Sequence, residues 1–154
     1  MSISGKKILI MQKEIITNSP EETKLIARKF ACQLKPGDIL ALTGNLGTGK
    51  TCFAKGIIEE LTGIIENFQG SPTFALIQEY QSSLSGIRVN HFDFYRVKNA
   101  MELLQIGWQE YIFDSNSVCV IEWADLFPEI LPPETRWIKF SYTDENQRKI
   151  VMEV

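Results

Sequence analysis

Residues 44–51 read Gly-Asn-Leu-Gly-Thr-Gly-Lys-Thr and satisfy the pattern G-x-x-x-x-G-K-[ST] at each of its fixed positions. Glycines at this spacing let successive backbone N–H groups turn inward and cradle phosphate oxygens. Lys50 can meet the β- and γ-phosphates as a point charge, and the Thr51 hydroxyl can ligate Mg²⁺. The positive end of the helix that should follow adds to the attraction. The candidate nucleotide-binding set is therefore Gly44, Asn45, Leu46, Gly47, Thr48, Gly49, Lys50 and Thr51. The pattern carries weight only between a strand and a helix. Asp38-Ile39-Leu40-Ala41-Leu42 suits a buried strand feeding the loop, and Phe53, Ile57 and Leu61 share one face of the helical segment after it.

Hydrolysis of a triphosphate also needs acids near the metal and the attacking water. Val118-Cys119-Val120-Ile121-Glu122 is an apolar strand ending in a carboxylate. A buried carboxylate must be satisfied, and Mg²⁺, directly or through water, would do so; the alternative is a glutamate that emerges into solvent at a strand end. In His91-Phe92-Asp93-Phe94-Tyr95-Arg96, strand alternation puts His91, Asp93 and Tyr95 on one face and the two phenylalanines on the other. Asp93, held by that aromatic anchor, could orient water or bind the metal's water shell. His91 is the only histidine and reads as a hydrogen-bonded structural group. Thr73, in Ser71-Pro72-Thr73-Phe74, is either a switch residue sensing the γ-phosphate through Mg²⁺ or part of a strand-initiating turn. Cys52, beside the lysine, is either a favoured thiolate or a small packing residue.

These groups need elements to position them. A strand is expected within residues 8–16. Ser19-Pro20-Glu21-Glu22 then starts a helix, with Ser19 as N-cap, Pro20 at its first position and Glu22 closing a capping box. Leu25, Ile26, Phe30 and Leu34 give it an apolar stripe, and Lys35-Pro36-Gly37 ends it. Residues 74–80 and 87–94 read as strands of an antiparallel hairpin around a turn-rich 81–86. Asn99 and Glu102 open a short helix through Leu103, Leu104 and Ile106. Residues 137–142 and 149–154 close the chain as strands around Asp144-Glu145-Asn146. The fold class is α/β, a mixed central sheet of P-loop NTPase type flanked by helices and carrying an antiparallel hairpin.

At 154 residues and 44% hydrophobic content the chain, residues 1–154, is expected to be one domain. A net charge of −3 gives no global basic field to draw in nucleic acid. Three cysteines without a C-x-x-C pair argue against a disulfide framework or zinc site and for a reducing compartment. The apolar run at residues 8–11 is too short for a signal core, and none approaches membrane length. The expectation is a soluble cytoplasmic protein.

Four signatures in order, the glycine loop, Ser71-Pro72-Thr73-Phe74 with Glu79-Tyr80, His91-x-Asp93-x-Tyr95-Arg96 and Ile121-Glu122-Trp123, resemble the bacterial TsaE (formerly YjeE) ATPases of tRNA threonylcarbamoyladenosine biosynthesis. The likeness runs from Thr23 to about Pro133. It departs at Asn45 and Thr48, where the family usually has Asp and Ala, and at Asp125, often Glu there. The resemblance implies a Mg²⁺-dependent ATPase that works with TsaB and TsaD, which carry out the transfer, and that meets tRNA only through them; it places Thr23 near the nucleotide base. Lys50, Asp93 and Glu122 would be catalytic, Thr51 and Glu122 the metal ligands, and Thr73 the γ-phosphate reporter. Trp123 packs either on the nucleotide or a partner, or in the core. Arg96 is either an arginine finger in cis or half of a salt bridge. Two rival readings stand beside this one, a P-loop small-molecule kinase and a nucleotide-gated binding scaffold.

Overall fold

The computed structural model describes residues 12–64, 68, 70–71, 76–82 and 84–153. Seven strands form one mixed sheet: β1 (Gln12–Thr17), β2 (Ile39–Thr43), β3 (Ile77–Gln81), β4 (Arg88–Asp93), β5 (Ser117–Glu122), β6 (Arg136–Tyr142) and β7 (Arg148–Glu153). Their spatial order is β1-β7-β6-β2-β5-β4-β3. The central four run parallel, β6-β2-β5-β4, and antiparallel pairs close both edges. The hairpin expected over residues 74–94 is β3–β4; residues 74, 75 and 83 of that expectation lie outside the described ones, as do residues 8–11 of the opening strand.

Among the described residues four α-helices pack on the sheet: α1 (Pro20–Ala31), α2 (Lys50–Thr62), α3 (Ala100–Gln105) and α4 (Trp108–Ile112). One core lies between the sheet and α1–α2, built on Leu40, Leu42, Phe53, Ile57, Val118 and Val120. The other lies on the opposite face, built on Phe92, Phe94, Leu103, Trp108 and Ile121. Alternation along β5 accounts for the division. Val118, Val120 and Glu122 point to the α2 face, Cys119 and Ile121 to the other. Every residue of β5 is buried, as its unbroken apolar run requires in a central parallel strand.

Ser19 caps α1 by accepting from Glu22 N–H at 3.1 Å, and Glu22 turns back to Asn18 N–H rather than to the cap's own amide. The stripe expected for α1 is corrected in one place: Leu25 is 53% exposed, and the buried face is Thr23, Ala27, Phe30 and Ala31. Small residues sit there because α1 and α2 approach closely. A Cβ built on Gly56 of α2 would lie 2.6 Å from Ala27 Cβ and 2.7 Å from Lys24 O. On α3, Leu103 is buried, whereas Leu104 and Ile106 are exposed; α4 has no counterpart in the sequence reading. No helix among the described residues is long and apolar enough to cross a membrane.

Candidate functional site

The glycine loop leaves the C-terminal end of β2 and feeds α2, at the sheet edge where parallel α/β folds bind ligands. Gly49 takes φ 108° as the N-cap of α2, and Gly47 takes φ 75°. Both lie in the left-handed region that glycine enters without strain. The carbonyls of Gly44 to Gly47 are engaged: Gly44 O and Asn45 O accept from Lys50 Nζ at 2.5 and 2.8 Å. Asn45 O also accepts from Thr48 Oγ1 at 2.6 Å, Leu46 O from Tyr142 Oη at 3.2 Å and Gly47 O from Arg148 Nε at 3.2 Å. The amides contrast with them. Among the described residues, none accepts from the N–H groups of Leu46, Gly47, Gly49 or Lys50. A row of N–H groups with no internal acceptor at a helix N-terminus is the chemistry of an anion site.

The cleft above this loop has a volume of about 560 Å³. Leu46, Gly47, Gly49, Lys50 and Thr51 form its floor, and Ser71, Asp93, Tyr95, Glu122 and Trp123 one wall. The opposite wall comes from the start of α1, including Thr23, and from the β6–β7 turn, including Arg148. Gly44, Asn45 and Thr48, although in the motif, do not line it; they shape the loop from behind, where a Cβ on Gly44 would collide with Phe140 O at 2.4 Å. Thr23 Oγ1 is engaged with Thr17 Oγ1 at 2.7 Å, so its methyl group is what faces Gly49.

The acids expected from separate strands converge. Register places Glu122 beside both Leu42 of the loop strand and Asp93 of β4. Glu122 is 2% exposed; Oε1 accepts from Thr51 Oγ1 at 2.7 Å and Oε2 lies 2.6 Å from His91 Nε2. His91 is thus the structural group anticipated, its ring parallel to Phe68 at 6.1 Å. Asp93 is held by Tyr95 N–H at 2.8 Å and by the Ser71 hydroxyl. Thr51, Glu122 and Asp93 are hard oxygen donors suited to Mg²⁺. Among the described residues there is no group of three or more His, Cys, Asp or Glu placed to hold a metal ion.

Lys50 is buried on this floor. Desolvation lowers its pKa, against the pull of Glu122, Asp125 and Asp93. Its ammonium also lies 4.3 Å from the centroid of the Trp123 ring, which packs on Tyr95 at 4.8 Å. Trp123 is half-buried, packing against the second core while also lining the cleft. It takes φ 57°, a left-handed backbone that costs a non-glycine residue about 1–2 kcal/mol and aims the ring over the lysine.

Some expectations need correction or lie elsewhere. Burial, opposed by Lys24 and Lys55, raises the Cys52 pKa, and its thiol donates to Pro20 O at 3.1 Å, which favours the packing residue over a thiolate. Arg96 is exposed and absent from the cleft lining. Pro72, Thr73 and Phe74 lie outside the described residues. The sequence reading missed Tyr142 and Arg148, which carry no motif and reach the loop only because β6 pairs with β2.

A family model described as "Threonylcarbamoyl adenosine biosynthesis protein TsaE" matches residues 17–150. The Bacillus subtilis (strain 168) protein named tRNA threonylcarbamoyladenosine biosynthesis protein TsaE is 42% identical over 134 residues, spanning 87% of this chain and 80% of that one. A Rickettsia felis protein of the same name is 37% identical over 134 residues, 87% of this chain and 75% of that one. The crystal structure of Bacillus subtilis YdiB superposes with a TM-score of 0.75 at 36% identity, covering 95% of this chain and 87% of that one.

Proposed function

The chain belongs to the TsaE family and so has a role in tRNA threonylcarbamoyladenosine biosynthesis; from that premise and the cleft geometry we propose that it is the Mg²⁺-dependent ATPase of the pathway. The observation that supports this most is the meeting of two halves: loop amides without internal acceptors on one side, and Glu122 bonded to the loop threonine on the other. A small-molecule kinase and a nucleotide-gated scaffold, the rival readings, are not favoured by the family.

In this reading the loop N–H groups bind the phosphates of ATP. Lys50 exchanges its carbonyl acceptors for phosphate oxygens. Its ammonium, partly stripped of water, gains more from an anion than a solvated lysine would. Thr51 and Glu122 would hold Mg²⁺, which when bound neutralises charge developing on the phosphoryl oxygens. His91 fixes one oxygen of Glu122, leaving the other to face Thr51. Asp93, clamped by Tyr95 N–H and Ser71, accepts a hydrogen bond from the attacking water and orients it.

Hydrolysis by the isolated chain is slow. Arg96 stands outside the cleft lining, and Arg148, in the cleft wall, holds Nε and Nη1 on the backbone carbonyls of Gly47, Glu145 and Gln147, so in this reading neither serves as an arginine finger. A missing arginine finger typically costs a factor of about 10³–10⁵. Docking to TsaB and TsaD, the proposed partners, raises the rate, and tRNA is met through them rather than directly, in keeping with the net charge of −3. Phosphate release from ATP and Mg²⁺, with and without TsaB and TsaD, tests the reading. Stimulation supports it; equal rates contradict partner activation, and no release under either condition contradicts the ATPase assignment.

A further inference from the structure

The β6–β7 turn touches the glycine loop from outside the phosphate-binding motif. Tyr142 Oη donates to Leu46 O, and Arg148 Nε to Gly47 O, both at 3.2 Å. The two side chains support each other, the guanidinium lying 4.1 Å from the centroid of the tyrosine ring. Arg148 Nη1 also bonds the turn carbonyls of Glu145 and Gln147 at 3.3 Å. Asp144 Oδ1 accepts from the amides of Asn146 and Gln147 and stiffens the turn. Gln147 Nε2 ties it to Asn18 Oδ1, ahead of α1, at 2.9 Å. The approach needs a glycine: a Cβ on Gly47 would lie 2.5 Å from Tyr142 Oη.

A trans peptide points its C=O and the next N–H in opposite directions. A bond that holds Leu46 O outward therefore aims Gly47 N–H inward, and one that holds Gly47 O outward keeps that carbonyl dipole away from an anion. Residues 46 and 47 are the part of the loop where such help counts, because Gly44 O and Asn45 O are already held by Lys50 and Thr48, and Gly49 O by Phe53 N–H. Gly47, with φ 75°, has no side chain to resist a peptide flip.

We propose that Tyr142 and Arg148 are positioning residues, an external latch that fixes the Leu46 and Gly47 peptides so that the loop presents amides, not carbonyls, to the triphosphate. The proposal rests on the loop being the phosphate site. Tyr142 is exposed and Arg148 half-buried, and neither belongs to either core, so their loss leaves the cores intact.

The test uses the full chain with Tyr142→Phe, which removes only the hydroxyl, and Arg148→Ala. Affinities for ATP and for inorganic tripolyphosphate, each with Mg²⁺, are measured by displacement of a fluorescent ATP analogue. One hydrogen bond corresponds to about a fivefold change in affinity, so each variant should bind both probes about fivefold more weakly. For Tyr142→Phe, whose side chain is not in the cleft lining, the maximal rate of ATP hydrolysis should stay within about twofold of the wild type, the split expected of lost ground-state binding. Weakening of ATP with tripolyphosphate unchanged would place the pair at the base or ribose and overturn the latch; so would unchanged affinity for both. A wild-type chain that binds neither probe would instead sink the phosphate-site reading, and the latch with it.

Discussion

Replacing Glu122 with Gln keeps the shape of the side chain and removes its charge, which makes it the most informative single perturbation of the proposed site. In the protein the carboxylate receives the Thr51 hydroxyl at 2.7 Å and contacts His91 Nε2 at 2.6 Å, at 2% exposure. Hydrogen bonds to a charged group are worth about 1.5–3 kcal/mol against about 0.5–1.5 kcal/mol for neutral ones, so each contact loses about 1–1.5 kcal/mol. The amide also meets His91 less well when its nitrogen faces the ring, because Nε2 must then accept and the ring proton sits on Nδ1, which is buried with no hydrogen-bond partner among the described residues. Together the two contacts amount to about 2–3 kcal/mol of lost positioning, or roughly 30- to 150-fold in kcat. The nucleotide contacts proposed for the loop amides and Lys50 would be untouched, so KM for ATP should stay within about twofold. Steady-state phosphate release over a range of ATP concentrations, with TsaB and TsaD present, reads both constants. A kcat within threefold of the wild type would remove Glu122 from the mechanism, and a loss confined to KM would make it a binding residue only.

Three further outcomes follow from the same geometry. Lys50→Ala should abolish measurable ATP binding in calorimetric titration, and saturable binding at wild-type affinity would contradict the role of the loop lysine. Glu59, buried between Lys24 at 3.3 Å and Arg28 at 2.7 Å, has its pKa pushed up by burial but lowered overall by those two cations. Its ion pairs therefore stabilise the fold fully above pH 4.5 and lose that effect as pH falls through the lower folded value. Glu59→Gln should cost about 1–3 kcal/mol near pH 7, short of the fully buried range because both cations are partly exposed. That gap should close in strongly acidic denaturant melts, and a gap independent of pH would refute the assignment. Gly56→Ala should cost about 1–3 kcal/mol by forcing α1 from α2, since its Cβ would lie 2.6 Å from Ala27 Cβ; an unchanged melting temperature would show that the helices separate freely.

The loop was legible because all its chemistry sits in eight consecutive residues whose types have few other uses together. β5 was legible for a related reason, since an unbroken apolar run ending in an acid describes a buried central strand that delivers one carboxylate to the sheet edge. Alternation in β4 likewise separated Asp93 from Phe92 and Phe94. What sequence did not carry was pairing across distance. That Thr51 meets Glu122, and His91 its other oxygen, depends on β2-β5-β4 adjacency and register. Tyr142 and Arg148 escaped notice because the β6–β7 turn reads as ordinary, and only the parallel pairing of β6 with β2 brings it to the loop. Leu25 misled because hydrophobicity was taken as the mark of burial, whereas close helix packing selected Thr23 and Ala27 instead. Of the two readings of Cys52, the packing residue is the one the structure favours, because desolvation outweighs its basic neighbours.

Titration of ATP into the wild-type chain in Mg²⁺ buffer, followed by calorimetry, is the most direct test of the central claim that the Gly44–Thr51 loop and its facing acids form a triphosphate site. Saturable binding of one nucleotide per chain, weakened when Mg²⁺ is chelated, is the predicted result. Absence of heat and of saturation at millimolar ATP would contradict it.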